Sequence, residues 1–291
     1  MAESRTELLN FVAEEVRKYK GIYYPVKASI PEQMFVRKIS VDKLHPNPDD
    51  EFCRPEVGPA MDILSAYEKE FRQNMARGID ALNEPLIVQK IHPDGYMILN
   101  GHHRWAALRS SGEKKAPVTI VNLTMETDIR KALSDSERTK RVAFDLDEVV
   151  FSSESGFFED KPKKIGNRHF KEQIRLGVPA LFRFFNLHGY DVWVFSSEYY
   201  SMDYVHELFK RYSVEVDGII TGRNRKMADA EGKRAEIKKL FEKKYEETVT
   251  VSADSVVRIL KKTGDFDETE MKDTGEGWSN EVMDIVSTHF K

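Results

Sequence analysis

The stretch Arg141–Val150, RVAFDLDEVV, constrains this chain more than any other. A β-branched and aromatic run leads into two aspartates one residue apart, Asp145 and Asp147, and apolar residues follow. Such a run reads as a buried strand, so both carboxylates fall where the strand ends and a loop begins. Open α/β sheets bind ligands outside the carboxyl ends of their strands. Carboxylates that close repel each other and need a cation or a shared proton. Oxygen-only ligation suits Mg²⁺ better than zinc. On this stretch alone, an acidic turn closing a strand is the alternative.

The segments that follow repeat the strand–helix alternation. The pattern predicts a helix from about residue 169 to Leu187, ended by Gly189, and a strand in YDVWVFSSEYY, Tyr190–Tyr200. A helix over Met202–Tyr212, a short strand in VDGIITG, a helix over Lys233–Tyr245 and a strand in TVTVSADS come next. A last helix spans Gly277–Phe290. Strands alternating with helices of this length predict a Rossmann-like parallel sheet covered on both faces. Asp145 and Asp147, Ser196 and Asp254 would then end three strands, and Lys233 opens the helix before the last of them. Carboxylates, a hydroxyl and an ammonium at one sheet edge make a phosphoryl-transfer site, with Mg²⁺ neutralising charge and one aspartate able to attack.

The first half has a different grammar. Residues 4–19 carry a capping box, Ser4 with Glu7, and an apolar helical stripe. A strand over Met34–Val41 precedes the loop Leu44–Gly58, in which Asp49, Asp50 and Glu51 could face a metal or a substrate hydroxyl. In the helix from about Pro59 to Arg77, Ile63, Tyr67, Phe71 and Met75 step by four and are expected to form a core stripe. Strands Pro85–Ile91 and Tyr96–Asn100 form a hairpin around His92–Gly95. The second runs straight into NGHHRWAALRSSG, Asn100–Gly112, a helix. Gly101 permits a tight turn, and the helix-start amides can hold an anion. His102, His103 and Arg104 add donors at the same point, which reads as a phosphate cradle. Its alternative is a plain strand–helix turn with surface histidines and Arg104 paired to a carboxylate.

The residues LIVQKI, YMILNGHHRWAALRSSG and APVTIV, with HPNP before them, resemble the ParB/sulfiredoxin fold over about residues 33–123. That resemblance implies an α+β domain that binds ATP or another nucleotide through Gly101, His102, His103 and Arg104. GHHR is closer to the free serine kinases of the superfamily than to GERR-type ParB motifs, and His102 stands where sulfiredoxin has its catalytic cysteine. A kinase of this kind uses an acidic base, for which Glu51 is the candidate. DLDEV, VFSS and VSADS resemble the haloacid dehalogenase superfamily of phosphatases over about residues 139–265. That resemblance makes Asp145 the nucleophile, Asp147 the general acid/base, Ser196 a phosphate contact and Lys233 the phosphate-binding lysine, with Lys226 its rival. Asp145, Asp147 and Asp254 would hold Mg²⁺, although Arg258 replaces the second acid often found after the last motif.

The expected organisation is a lead-in over 1–32, a nucleotide-binding domain over 33–123, a linker helix over 124–138 and a HAD-like domain with a small cap over 139–291. At 291 residues, with 40% hydrophobic and 32% charged residues, the chain can bury two cores. A net charge of −4 gives no global pull towards nucleic acid or membrane. The lone cysteine, Cys53, excludes a disulfide framework. No signal peptide or bilayer-length apolar run is legible, which predicts a cytoplasmic protein. The leading expectation is a Mg²⁺-dependent phosphatase of a phosphorylated small molecule or nucleotide, joined to a nucleotide-binding, kinase-type domain. The alternatives are a nucleic-acid end-processing kinase-phosphatase and a nucleotide-responsive module with an inactive phosphatase. Lys161, Lys163, Lys164, Arg168, Arg223, Arg225 and Lys226 would track nucleic acid in the former, and Arg258 supports the latter.

Overall fold

The computed structural model describes residues 5–80, 82–153, 156–161, 170–222 and 230–290, apart from the side chains of 20, 21, 230, 231, 233 and 234. The chain divides into two compact units, the first drawn from Met1–Asn122 and the second from Leu123 onward. Ser4, Lys163, Lys164, Arg168, Arg223, Arg225, Lys226 and the side chain of Lys233 lie outside the described residues. No helix among those described is long and apolar enough to cross a membrane.

The first unit contains α1 (Arg5–Ile22), β1 (Tyr24–Pro25), α2 (Ile30–Gln33), β2 (Arg37–Ser40), β3 (Leu44–His45), α3 (Met61–Ala76), β4 (Leu86–His92), β5 (Tyr96–Asn100), α4 (His102–Ser110) and β6 (Lys115–Ile120). Its sheet runs β2-β6-β4-β5-β3, with β1 added beside β4. Strands β4 and β5 form an antiparallel hairpin, while β4 pairs with β6 in parallel. The core gathers Leu64, Phe71, Leu86, Ile98, Trp105 and Val118, all buried. The expected strand over Met34–Val41 is shorter, because Ser29 and Glu32 start α2 through a capping box and Met34 ends it. The stripe expected on α3 is corrected as well. Ile63 and Met75 are 43% and 51% exposed, whereas Leu64 and Phe71 are buried. Steps of four residues overshoot a 3.6-residue turn by about 40° each, so the ends of such a row rotate off the core face.

The second unit contains α5 (Glu126–Asp135), β7 (Lys140–Asp145), α6 (Val178–Leu187), β8 (Tyr190–Phe195), α7 (Met202–Arg211), β9 (Gly218–Ile220), α8 (Ala230–Lys244), β10 (Glu247–Val251), β11 (Val256–Lys261), β12 (Phe266–Glu270) and α9 (Trp278–Ser287). The sheet order is β12-β11-β10-β7-β8-β9. Strands β10, β7, β8 and β9 are parallel, and β11 and β12 extend the sheet as an antiparallel hairpin. The sheet is therefore mixed rather than wholly parallel. Strand β8 is buried almost throughout, as a strand covered on both faces must be. The helix expected from about residue 169 begins at Val178, because Gly177 takes φ +89° immediately before it.

The chain leaves β7 for β8 and β9 on one side, then returns to β10 on the other. The crevice at such a reversal, outside the carboxyl ends of the strands, is where open α/β sheets bind ligands. Asp145 is level with Phe195, and Phe144 with Val251, so Asp145, Ser196 and Ser252 leave the sheet at about the same height.

Candidate functional site

In the first unit the turn between β5 and α4 is held by Gly101, at φ +100°. A Cβ there would lie 2.7 Å from Leu86 and 3.1 Å from the Arg104 guanidinium, so conformation and space both require glycine. The first amides of α4 have no partner within the helix. His102 is only 4% exposed, and its Nε2 accepts the Asn47 amide at 3.1 Å. Burial holds the imidazole well below its ordinary pKa, and its other nitrogen hydrogen-bonds to the Ile98 backbone. The ring is the neutral Nδ1–H tautomer, which satisfies both contacts. His103 accepts the Ala60 amide on Nε2 at 3.0 Å and is also shifted down by burial. Arg104 donates to the Glu84 carboxylate at 3.0 Å, the Glu84 carbonyl at 3.2 Å and Asn100 Oδ1 at 3.0 Å.

The three side chains expected to donate to phosphate all have partners within the protein. Both histidines act as acceptors at Nε2, and the guanidinium is engaged by Glu84 and Asn100. What the histidines do is clamp the loop from Asn47 to Ala60 against the start of α4. Phe52 adds to the clamp, with its ring 5.5 Å from His102 and 5.1 Å from His103. The same loop carries Asp50, whose Oδ2 is 3.6 Å from His102 Nδ1, and Glu51, which is exposed. Cys53 is buried and its thiol is pushed up to about 12, so it is no nucleophile. The HPNP stretch signalled Asn47, but no pattern in the sequence marked Glu84.

In the second unit β7 ends in a π-helical turn, Leu146–Val150. Asp145 Oδ1 accepts two amides of that turn, from Asp147 at 2.9 Å and from Glu148 at 2.8 Å. Its Oδ2 has no hydrogen-bond partner among the described residues. Asp147 faces Ser196, whose hydroxyl lies 2.8 and 2.9 Å from its two oxygens, and it also accepts the Ser197 amide at 3.2 Å. Burial raises the Asp147 pKa and the Asp145 charge adds to the rise, partly offset by Ser196. Ser196 is buried and also accepts the Glu198 amide at 2.9 Å. Its hydroxyl, expected to contact phosphate, is here engaged by Asp147.

Asp254 follows β10 in a turn and is exposed. Arg258 donates to it at 2.6 and 3.3 Å and holds its pKa below the usual carboxylate range. Arg258 also reaches Ser252 Oγ at 2.8 Å and Glu268 at 2.9 Å. The expected three-aspartate ligand set is not assembled. Among the described residues no group of three or more His, Cys, Asp or Glu side chains is arranged to hold a metal ion. Asp145 and Asp147 remain, and they fit Mg²⁺, which commonly takes one or two carboxylates and completes its shell with water and substrate phosphate. A cleft of about 280 Å³ runs beside them, lined by Asp147, Ser152, Arg175, Ser252 and Ser255. A larger cavity of about 660 Å³ lies at the amino ends of the strands, around Arg138, Asp191 and Asp217. There Arg138 donates to Asn186 at 2.9 Å and to the Tyr190 carbonyl at 2.8 Å, tying the strand starts together.

Residues 27–137 match the family model of the ParB N-terminal domain. An ATP-dependent L-serine kinase of Desulfurococcus mucosus is 34% identical over 62 residues, 21% of this chain and 24% of that protein. The ATP-dependent L-serine kinase of Staphylothermus marinus is 34% identical over 65 residues, 22% of this chain and 25% of the relative. The chain thus spans about a quarter of the length of the curated relatives it matches. A solved free serine kinase in complex with AMP is similar at 17% identity and a TM-score of 0.24, covering 91% of this chain and 85% of that one. A likeness at that level does not define the fold, which rests on the strands and helices above.

Proposed function

We propose that the first unit is a nucleotide-dependent kinase domain that phosphorylates a small hydroxyl compound, of which free serine is the example named by its relatives. The observation that carries this reading is the clamp of His102 and His103. It sets an acidic loop against a helix start whose amides suit phosphate. In this reading Gly101 and the first amides of α4 cradle the nucleotide phosphates. Glu51 takes the proton of the attacking hydroxyl, and Arg104 exchanges Glu84 for a phosphate oxygen. Calorimetric titration with ATP, ADP and AMP, followed by a kinase assay on free serine, tests it. No binding of any nucleotide would reduce the Gly101 turn to a structural joint.

The second unit supports a distinct reading, a Mg²⁺-dependent phosphatase of the haloacid dehalogenase type, carried by the Asp145–Asp147–Ser196 constellation at the sheet reversal. Bound there, Mg²⁺ would neutralise the charge of the two carboxylates and the substrate phosphate. Asp145 Oδ2 attacks phosphorus while its Oδ1 stays anchored by two amides, so the reactive oxygen is oriented in advance. Asp147, with its raised pKa, gives its proton to the leaving oxygen and then takes one from the water that hydrolyses the aspartyl phosphate. Turnover of phosphate monoesters that requires Mg²⁺ and is lost in Asp145→Asn tests this reading. Its absence would leave the second unit a binding module.

A further inference from the structure

The phosphatase reading leaves the substrate unnamed, and the aromatic residues beside the constellation supply a class. Tyr200 lies four residues beyond Ser196, in the loop between β8 and α7. Its ring stacks parallel to that of Tyr204 on α7, at 6.3 Å between centroids and 7° between planes. Phe151, which ends the π-helical turn carrying Asp147, meets Tyr200 edge-on at 5.8 Å. Phe170 continues the row, 5.2 Å from Tyr204. All four rings are half-buried. The Tyr204 hydroxyl is fixed by Glu172 and accepts the Lys171 amide at 3.1 Å, which anchors that ring.

A hydrophobic rim packed on the core is the plain account of such rings, and Phe151, Tyr200 and Tyr204 do pack on it. That account does not explain the charges around them. Burial pushes the Tyr200 phenol up, and the charges of Glu172, Asp147 and Glu198 add to the rise. The row leaves the sheet at the same edge as the reacting carboxylates, because Phe151 closes the turn of Asp147 and Tyr200 lies in the loop after Ser196, and the Glu172 carboxylate that holds the Tyr204 hydroxyl stands at its margin. A flat ring stacks on aromatic faces whatever its sequence or substituents. Carboxylates at the margin of such a stack suit the ring N–H and exocyclic amino donors of a nucleobase.

Resting on the phosphatase reading, we propose that the Phe151–Tyr200–Tyr204 row is a nucleobase platform, and that the substrate is a phosphate ester of a nucleoside. A mononucleotide and the phosphorylated end of a nucleic acid share this chemistry. The test uses the full chain with Mg²⁺ and compares kcat/KM for nucleoside monophosphates, a short phosphorylated oligonucleotide and glycerol phosphate.

The wild type is expected to prefer the base-bearing esters by at least tenfold. Tyr200→Leu should reduce that preference ten- to a hundredfold, mainly through KM, whereas Tyr200→Phe and Tyr200→Trp should keep it. Turnover of glycerol phosphate reports in each variant that the unit is folded. A higher kcat/KM for the oligonucleotide assigns the platform to a strand end, and the reverse to a free nucleotide. Equal turnover of all esters by the wild type, or a loss in Tyr200→Leu that is the same for every ester, overturns the platform alone. No turnover sensitive to Asp145→Asn on any ester overturns the phosphatase reading and the platform with it.

Discussion

The turn at Gly101 and the turn at Asp145 both join the end of a strand to a helical segment, yet they handle polar side chains in opposite ways. At Gly101 the side chains that the sequence presents as donors face the protein. His102 and His103 receive backbone amides, and Arg104 is held by Glu84 and Asn100. At Asp145 the backbone serves the side chain, with two amides fixing Oδ1 and a serine hydroxyl fixing the neighbouring carboxylate. The contrast follows from charge. A helix start attracts an anion without any side chain, whereas the nucleophile proposed at Asp145 has to be a side-chain atom held in one orientation.

The largest break in this comparison is Asp145→Asn. It should lower Mg²⁺-dependent phosphomonoesterase turnover on the order of 10³-fold or more, while nucleotide affinity at the Gly101 turn stays unchanged. A matching drop in nucleotide binding, seen by calorimetry, would mean that the two sites are one.

Arg104→Ala should weaken nucleotide binding by about ten- to a hundredfold, the effect of one charge-assisted contact. Glu84 is 81% exposed and competes for the same guanidinium, so Glu84→Ala should tighten binding by up to about fivefold. If both variants bind ATP like the wild type, Arg104 is a structural strut and the cradle is backbone alone.

Protonation separates the two turns next. Burial depresses the His102 pKa from 6.5 to about 4 in the folded chain. The unfolded chain therefore takes up a proton that the folded one refuses, and stability falls as pH drops below 6.5, by about 1.4 kcal/mol per pH unit. His102→Gln offers an uncharged acceptor to the Asn47 amide and should flatten this slope. Melting temperatures of both proteins between pH 7 and 5 decide it, and parallel curves would show that His102 does not titrate there.

The smallest effect is expected at Arg258. Arg258→Ala removes the ion pair that engages Asp254 and should lower the Mg²⁺ concentration for half-maximal turnover by about two- to threefold. A rise instead would show that Arg258 assists the site, through substrate or through Ser252.

Several elements were readable because their determinants are local. The β7 run ending at Asp145, the β4–β5 hairpin and the α4 start at Gly101 each follow from residues adjacent in the chain. The hairpin of β11 and β12 was not foreseen. FDETE is exposed along nearly its whole length and carries no alternation to mark it. It is a strand because β11 offers it an edge.

By itself the sequence determined which residue types meet at two turns. The spacing of Asp145 and Asp147 and the glycine before α4 are properties of short segments, and their chemistry follows from backbone geometry there. Only the tertiary structure decided what each polar group faces. Whether His102 is a donor or an acceptor depends on Asn47, 55 positions away, whose amide needs a partner once both are buried. Whether Asp254 is open to a metal depends on Arg258, which the turn after β10 brings back against it. Whether Tyr200 joins an aromatic row depends on Phe151 and Tyr204 arriving beside it. Contacts of that kind arise from packing between elements, and no local pattern encodes them.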